Sequence, residues 1–397
     1  MRILYFADTR FPIERANGVQ TMATCHALAA RGHAVTLVAR PDTASPPRDP
    51  CQFYGLAPLP KLRIEFITGP RSPRARRTQF LLGALRRLVT SRAAVVYTRD
   101  LGLASFFLQL PRSRRPALIY ESHGVSVIVS AEMPALLGKP ELAPSRDKLR
   151  RLDRRERRVW QRADAYVTIT RALRDELTSR YGERERVFVV PDGVRLDDGP
   201  AAGSDDRPIL PGPVAGYAGH LYPWKGVDDF VRALAQTPGM RGLIVGGHPG
   251  EHDFARVEAL VRDLGLAERV EMTGMVPTGE VRQRLAAATM LVLPNAKTAV
   301  SERYTSPLKL FEYLSMGRPI IASDLPSIRE VLTDGETALL VPPGDPAPLA
   351  AAMARLAANA ALSDRLGEAA RALAPDYTWA RRAERLEAAL TAAAARR

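Results

Sequence analysis

Cysteine is almost missing from this 397-residue chain. Only Cys25 and Cys51 occur, which excludes a framework of bridges or a cysteine-built metal site. The six histidines are scattered, with no HExxH and no His/Cys cluster, so these residues suggest no metal site. No window approaches the roughly 18 uninterrupted apolar residues of a membrane-crossing helix. The opening "MRILYFAD" runs straight into a strand pattern and lacks the longer apolar segment and small-residue cleavage site of a signal peptide. A reducing, cytoplasmic location fits these absences. No helix-turn-helix, zinc-finger or RNA-recognition signature is present, so nucleic acid is not expected as a partner.

What is present is ordinary in bulk and unusual in charge. Apolar residues make up 46% and charged residues 25%, as in globular proteins generally, and the length calls for two domains rather than one core. The formal net charge is +14, carried mostly by arginine. Such a balance favours an anionic partner such as a phosphorylated ligand or an acidic membrane, although an arginine- and alanine-rich composition also arises without any function.

Short runs of Val, Ile and Leu alternate with amphipathic segments throughout. The N-terminal half reads as strands in "RILYFAD", "AVTLVAR", "RIEFIT", "AVVYTRD", "ALIYESHG", "DAYVTIT" and "RVFVVPDG", with helices between them. After a stretch rich in Gly, Pro and Asp the alternation restarts with "PVAGYAGH", "MRGLIVGG", "RVEMTG", "MLVLPN", "PIIASD" and "ALLVPPG". Continuous apolar strands separated by helices imply parallel sheets covered on both faces. The expected fold class is therefore α/β, with two doubly wound, Rossmann-like domains facing across a cleft. The expected division is an N-terminal domain over 1–195, a linker over 196–213, a second domain over 214–375 and a terminal helix over 376–397 that crosses back to the first domain.

The second domain opens with "GYAGHLYPWKGVDDFVRAL". Its strand ends at Gly219, its loop carries Lys225 and Gly226, and a helix follows, so close backbone approach and a cation for a phosphate fall together. The "VDD" of Val227–Asp229 is explained by helix capping, not by metal binding. Gly246 and Gly247 close another strand. In "YTSPLKLFEYLSMGRPIIASD", Ser306 and Pro307 suit the N-cap and first position of a helix. Lys309 then opposes the helix dipole unless an anion offsets it; the simpler alternative is an ion pair with a neighbouring acid. A nicotinamide dehydrogenase is excluded, because the first strand is followed by "ADTRFPIERANGV" with one glycine and not by GxGxxG.

The order "GHLYPWKG…IVGG…MTG…LVLPN…SPLKLFEYLSMGRPIIASD…ALLVPPGD" resembles the C-terminal domain of glycosyltransferase family 4, and Gly18, "VVYTRD", "YESHG" and "VVPDGVRLD" stand in that family's N-terminal order. The resemblance covers about residues 2–385. It implies the GT-B architecture and sugar transfer with retention from a nucleoside diphosphate sugar, which is a substrate, with no cofactor and no metal expected. Lys225 takes the place of the family's phosphate-binding lysine, and His220 stands where the family usually has arginine. Glu312 takes the second position of a glutamate pair spaced eight apart and is expected at the ribose hydroxyls. The first position falls on Tyr304, while Glu302 lies two residues out of register. In its place the loop Ser306, Pro307, Leu308 and Lys309 is expected to meet the sugar diphosphate, with Gly219, Gly246 and Gly18 lining the donor. His123 is expected near the sugar hydroxyls, and with Lys225 and Lys309 forms the catalytic set. Glu121 reads as structural. Asn17 and Arg99, with Asp100 beside it, are placed on the acceptor side; Asp192 and Gly193 fall near the hinge.

Residues 71–92 hold seven arginines and no acid, with Phe80, Leu81, Leu85 and Leu88 interleaved, and a second basic run covers 146–158. In similar enzymes such surfaces dock on anionic membranes, which would place the protein at the inner face of the cytoplasmic membrane. The expected acceptor is a hydroxyl on a glycan, a lipid-linked molecule or a small molecule. The alternatives are a catalytically weak or inactive nucleotide- or carbohydrate-binding protein on the same scaffold, and a nucleotide-sugar epimerase.

Overall fold

The computed structural model describes residues 1–70, 72–196 and 212–395. Most of the expected linker, together with Arg71, Arg396 and Arg397, lies outside them. The chain divides into two compact units: residues 1–130, 144–193 and 379–397 form one, and residues 131–143 with 194–378 form the other.

The first unit is built on seven strands: β1 Arg2–Arg10, β2 Ala34–Arg40, β3 Leu62–Phe66, β4 Val95–Thr98, β5 Ala117–Ser122, β6 Ala165–Thr168 and β7 Val187–Val189. Their order is β3-β2-β1-β4-β5-β6-β7, every pairing parallel. The reversal between β1 and β4 is a topological switch point, where open α/β sheets place ligand-binding loops. Strands β4, β5 and β6 are buried along their whole length, so no alternation marks their sequences. The terminal helix Trp379–Ala394 belongs to this unit and packs on helix Ala16–Ala30 and on β5 and β6.

The second unit carries β8 Val214–Ala218, β9 Arg241–Val245, β10 Val270–Gly274, β11 Met290–Leu293, β12 Ile320–Ser323 and β13 Leu339–Val341. Their order is β10-β9-β8-β11-β12-β13, again parallel throughout. Alternate residues feed two separate cores: Ala215, Tyr217, Ile244, Met290 and Val292 on one face, Val214, Ala218, Leu243, Val245 and Leu291 on the other. Helices cover both faces because each face is too apolar to meet water.

Three local expectations are corrected. Asn17 and Gly18 lie in the first turn of helix Ala16–Ala30, not on the loop after β1. Gly18 is buried there, and a Cβ on it would meet the Tyr54 hydroxyl and Ile13 at 2.4–2.6 Å, so tight packing alone demands glycine. The helix after the Ser-Pro pair runs Leu308–Met316 with Pro307 at the N-cap, one residue later than expected, and no side chain caps it. Helix Val227–Ala235 is preceded by Gly226 in the left-handed region; Asp228 and Asp229 sit in its first turn, facing Arg256 and Arg232, and do not cap it.

Candidate donor-phosphate and histidine sites

In the second unit three strand-end loops converge around one helix start. Gly219 follows β8 with φ +126°, and a Cβ there would fall 2.1 Å from Lys309 Cε. The lysine stem therefore lies in space that only glycine leaves open. Gly246 follows β9 with φ +117°, and a Cβ on it would strike the Gly219 carbonyl at 2.7 Å. Lys225 ends the short turn Pro223–Lys225, and Gly226 (φ +67°) lets the chain pass against the Pro294 carbonyl.

The two lysines meet an unusual environment. The Lys309 ammonium donates to the Tyr217 hydroxyl at 2.8 Å and lies 4.2 Å from the centre of that ring. Burial pushes its pKa well below the usual lysine value, and the charge of Lys225 adds to the effect. Burial alone lowers Lys225 to about 8. Among the described residues no carboxylate pairs with either ammonium, so the alternative of an ion pair for Lys309 gives way to a hydroxyl and an aromatic face. Glu312, one turn along the helix, faces Lys309 and Arg282, yet burial still raises it to about 7. Two desolvated cations beside the open amide end of helix Leu308–Met316 form a seat for a multiply charged anion.

His220 is half-buried, and its ring stacks on Tyr222, which stacks on Trp224, with centroids 5.0 and 4.6 Å apart. Its backbone carbonyl accepts from Tyr217 at 2.7 Å, so Tyr217 links His220 to Lys309. Neither Tyr217 nor the aromatic stack was singled out from the sequence. The glycine at 219, which implies a close neighbour, was the one available signal. Ser306 and Pro307 lead into the helix, which begins at Leu308. Glu302 sits on the separate short helix Ala299–Arg303, its carboxylate 3.9 Å from Lys297.

In the first unit His123 follows β5 and is half-buried. Its Nε2 lies 2.5 Å from Glu121 Oε1. Glu121, fully buried, also accepts from Gln20 at 2.6 Å, from the Tyr97 hydroxyl and from Arg382 at 2.7 Å. Arg99 donates to Gln20 Oε1 at 2.6 Å, which ties it to the same network. Asp100 caps helix Leu101–Phe107 and pairs with Arg77, so its carboxylate is taken up structurally. Asp192 lies 3.6 Å from Arg382. Arg382 was missed from the sequence, where it is one arginine among many on a polar helix. Among the described residues no three His, Cys, Asp or Glu side chains group as metal ligands.

The basic runs divide on inspection. In helix Pro73–Thr90, Phe80 and Leu88 are core residues, while Arg77 and Arg87 are held by Asp8, Asp100 and Glu65; these four do not form an outward face. Leu82 and Val89 are instead exposed, at 60% and 55%, with Arg86 between them. On helix Arg146–Arg162 the exposed Arg151, Arg154, Arg155 and Arg158 have no acidic partner among the described residues. An open groove of about 610 Å³ lies against this helix, lined by Arg150, Arg151, Arg154 and Arg180. No helix among the described residues is long and apolar enough to cross a membrane.

Two parallel, doubly wound Rossmann-like sheets, the second with two buried lysines at a helix start, define the class of fold. Residues 17–193 match the family model described as glycosyl transferase 4-like domain, and residues 212–359 match that of glycosyl transferases group 1. The chain belongs to this glycosyltransferase family. Over 253 residues it is 32% identical to a D-inositol 3-phosphate glycosyltransferase of Nocardia farcinica, covering 60% of this chain and 54% of that protein. The chain spans about half the length of the curated relatives it matches. Its fold is shared with sucrose-phosphate synthase from Thermosynechococcus elongatus (TM-score 0.78, 21% identity, 98% of this chain and 97% of that one). It is also shared with Anabaena HepE, solved in complex with UDP-glucose (TM-score 0.75, 18% identity, 98% and 99% coverage). The architecture is GT-B.

Proposed function

We propose that the protein is a retaining glycosyltransferase that moves a sugar from a nucleoside diphosphate sugar to a hydroxyl of a glycan, a lipid-linked molecule or a small molecule. The observation that carries this reading is the pair Lys225 and Lys309, desolvated and unpaired by carboxylates at an open helix start. Two such cations raise the free energy of the empty site and lower that of a site holding a diphosphate. A departing diphosphate gains charge as the glycosidic bond lengthens, so fixed cations and amides act most strongly on the transition state. Lys225, Lys309, His220 and the amides after Ser306 take that role, and Glu312 accepts from the ribose hydroxyls. His123 contacts hydroxyls of the sugar, while Asn17 and Arg99 serve the acceptor. The chemistry needs no metal.

The UDP-glucose named with HepE makes UDP-sugars the first donors to try. Incubation with UDP-, GDP- and ADP-sugars, followed by NMR of the product's anomeric proton, tests both transfer and retention. Turnover with inversion would remove the retaining assignment alone. Nucleotide binding without transfer or slow hydrolysis would favour the binding-protein alternative. Conversion of the donor sugar with no acceptor present would favour an epimerase.

A membrane-surface location accompanies this reading. Leu82, Arg86, Val89 and the free arginines of helix Arg146–Arg162 suit an anionic bilayer at the inner face of the cytoplasmic membrane. Sedimentation with phosphatidylglycerol-containing vesicles at low and high salt tests it, and equal recovery with neutral vesicles would remove it.

A further inference from the structure

Glu121 and His123 are joined to the far end of the chain. Arg382, on the terminal helix, is 1% exposed and makes four hydrogen bonds: to Thr24 Oγ1 at 3.1 Å, the Val190 and Pro191 carbonyls at 2.7 and 2.8 Å, and Glu121 Oε2 at 2.7 Å. Glu121 thus receives Arg382 on one oxygen and His123 on the other. This buried guanidinium commits four of its five N–H donors to two carbonyls, a hydroxyl and one carboxylate, so the bonds prescribe where that carboxylate sits.

The protonation state of the pair follows from its surroundings. The Arg382 charge, with His123 and Arg99, holds Glu121 well below the usual carboxylate range despite burial. Burial and the charge of Arg99 keep His123 below the ordinary imidazole value. An ionised carboxylate can only accept, so a neutral His123 must donate its one proton through Nε2. Its Nδ1 then keeps a bare lone pair.

We propose that Arg382 and Glu121 are positioning residues that hold His123 in its Nε2–H tautomer, so that Nδ1 accepts a hydrogen bond from a substrate hydroxyl. The terminal helix, which contributes nothing to the sheet, thereby sets the chemical form of a residue 259 positions earlier in the chain. The inference rests on the glycosyl-transfer reading for the hydroxyl, and on the geometry alone for the tautomer. The charged and titratable groups around the imidazole are Glu121 on β5, Arg99 after β4, Asp192 after β7 and Arg382 on the terminal helix. Tyr97 on β4, Tyr5 on β1 and Cys25 on helix Ala16–Ala30 border Glu121.

The test is a ¹⁵N-histidine NMR titration of the full-length protein, with His123 assigned by the loss of its signals in His123→Gln. The wild type should show the Nε2–H form for His123. Loss of a cation favours imidazolium and loss of an anion disfavours it, so Arg382→Met should raise the His123 pKa by about a unit, whereas Glu121→Gln should lower it. Arg382→Lys should return the titration most of the way to wild type. A merely supporting role for either residue would lower the melting temperature without moving His123 in opposite directions. An Nδ1–H form in the wild type overturns the proposal, as does an unmoved titration in either folded variant. Should Arg382→Met fail to fold, Glu121→Gln and Arg382→Lys decide by the same signals. In the transfer assay the acid limb of the kcat profile should follow the same shifts. Opposite titration shifts in a protein that turns over no donor would sink glycosyl transfer and leave the positioning standing. Turnover with an unmoved titration does the reverse.

Discussion

The Lys309 ammonium rests on Tyr217, 2.8 Å from its hydroxyl and 4.2 Å from its ring centre. A neutral phenol and a π face solvate a cation far less well than a carboxylate or water does. With Lys225 adding like charge, the second unit keeps local strain that a diphosphate can relieve, which makes stability and binding respond oppositely to the same substitution.

Replacing Lys309 by Met should therefore stabilise the free protein and weaken nucleotide binding. A charge-assisted hydrogen bond contributes about 1.5–3 kcal/mol, or roughly 10- to 150-fold in affinity. Melting curves with and without UDP, GDP and ADP check both halves. A variant that melts lower than wild type yet keeps its full nucleotide shift would refute the account.

Lys225 titrates at about 8 in the free protein. Its folded value lies below its unfolded one, so the fold binds fewer protons and gains stability as pH rises from about 8 toward 10.5. A bound diphosphate restores the charge and must take up a proton above pH 8. Affinity should fall by up to about tenfold per pH unit there. Calorimetry at pH 8.5 in two buffers of different ionisation heat should show proton uptake, and Lys225→Arg should reduce it, leaving the share taken up by Lys309.

Glu156 is fully buried and accepts from the Ser126 amide and hydroxyl at 2.9–3.1 Å, holding the start of helix Ser126–Leu136. Burial raises it to about 7. The fold therefore binds the extra proton, and stability is lost as pH rises from about 4.5 to 7. Glu156→Gln should match the wild type near pH 5 and exceed it by roughly 1–3 kcal/mol at pH 8, given about 1.4 kcal/mol per pKa unit. Urea unfolding at the two pH values is the measurement.

Gly226→Ala should fail in folding or lose the donor site. The left-handed backbone disfavours a side chain by about 1 kcal/mol or more, and a Cβ would lie 1.6 Å from the Pro294 carbonyl. A soluble variant with wild-type melting and nucleotide shift would contradict the role given to this turn.

Leu82→Asp combined with Val89→Asp changes only exposed positions. Recovery with anionic vesicles should drop severalfold, while melting temperature and turnover of a water-soluble acceptor stay as in wild type. Unchanged sedimentation would leave the arginines alone to explain vesicle binding, or remove it.

Each of the thirteen strands among the described residues overlaps an apolar run read from the sequence, β1 and β3 reaching slightly past theirs, because strands buried on both faces read as continuous apolar runs. Lys225 was singled out as a cation beside glycine in a strand-end loop and Lys309 as a cation in the first turn of a helix, and the structure brings both lysines together near Gly219. Phe80 and Leu88 were misjudged because an apolar residue between arginines looks the same whether it faces lipid or core; only the direction of the helix face separates them. Pro307 at the N-cap shows the usual one-residue uncertainty of helix ends.

The sequence by itself determined the two parallel sheets, their strand positions and the family, since these depend on hydrophobic period and local motif. Tertiary structure alone decided that Lys309 meets Tyr217 and not an acid, and that Arg382 holds Glu121. Both pairings join residues far apart in the chain, 92 and 261 positions respectively. Burial then amplifies them: away from water a single neighbour sets a group's charge, and the neighbour is chosen by packing, which no local pattern encodes.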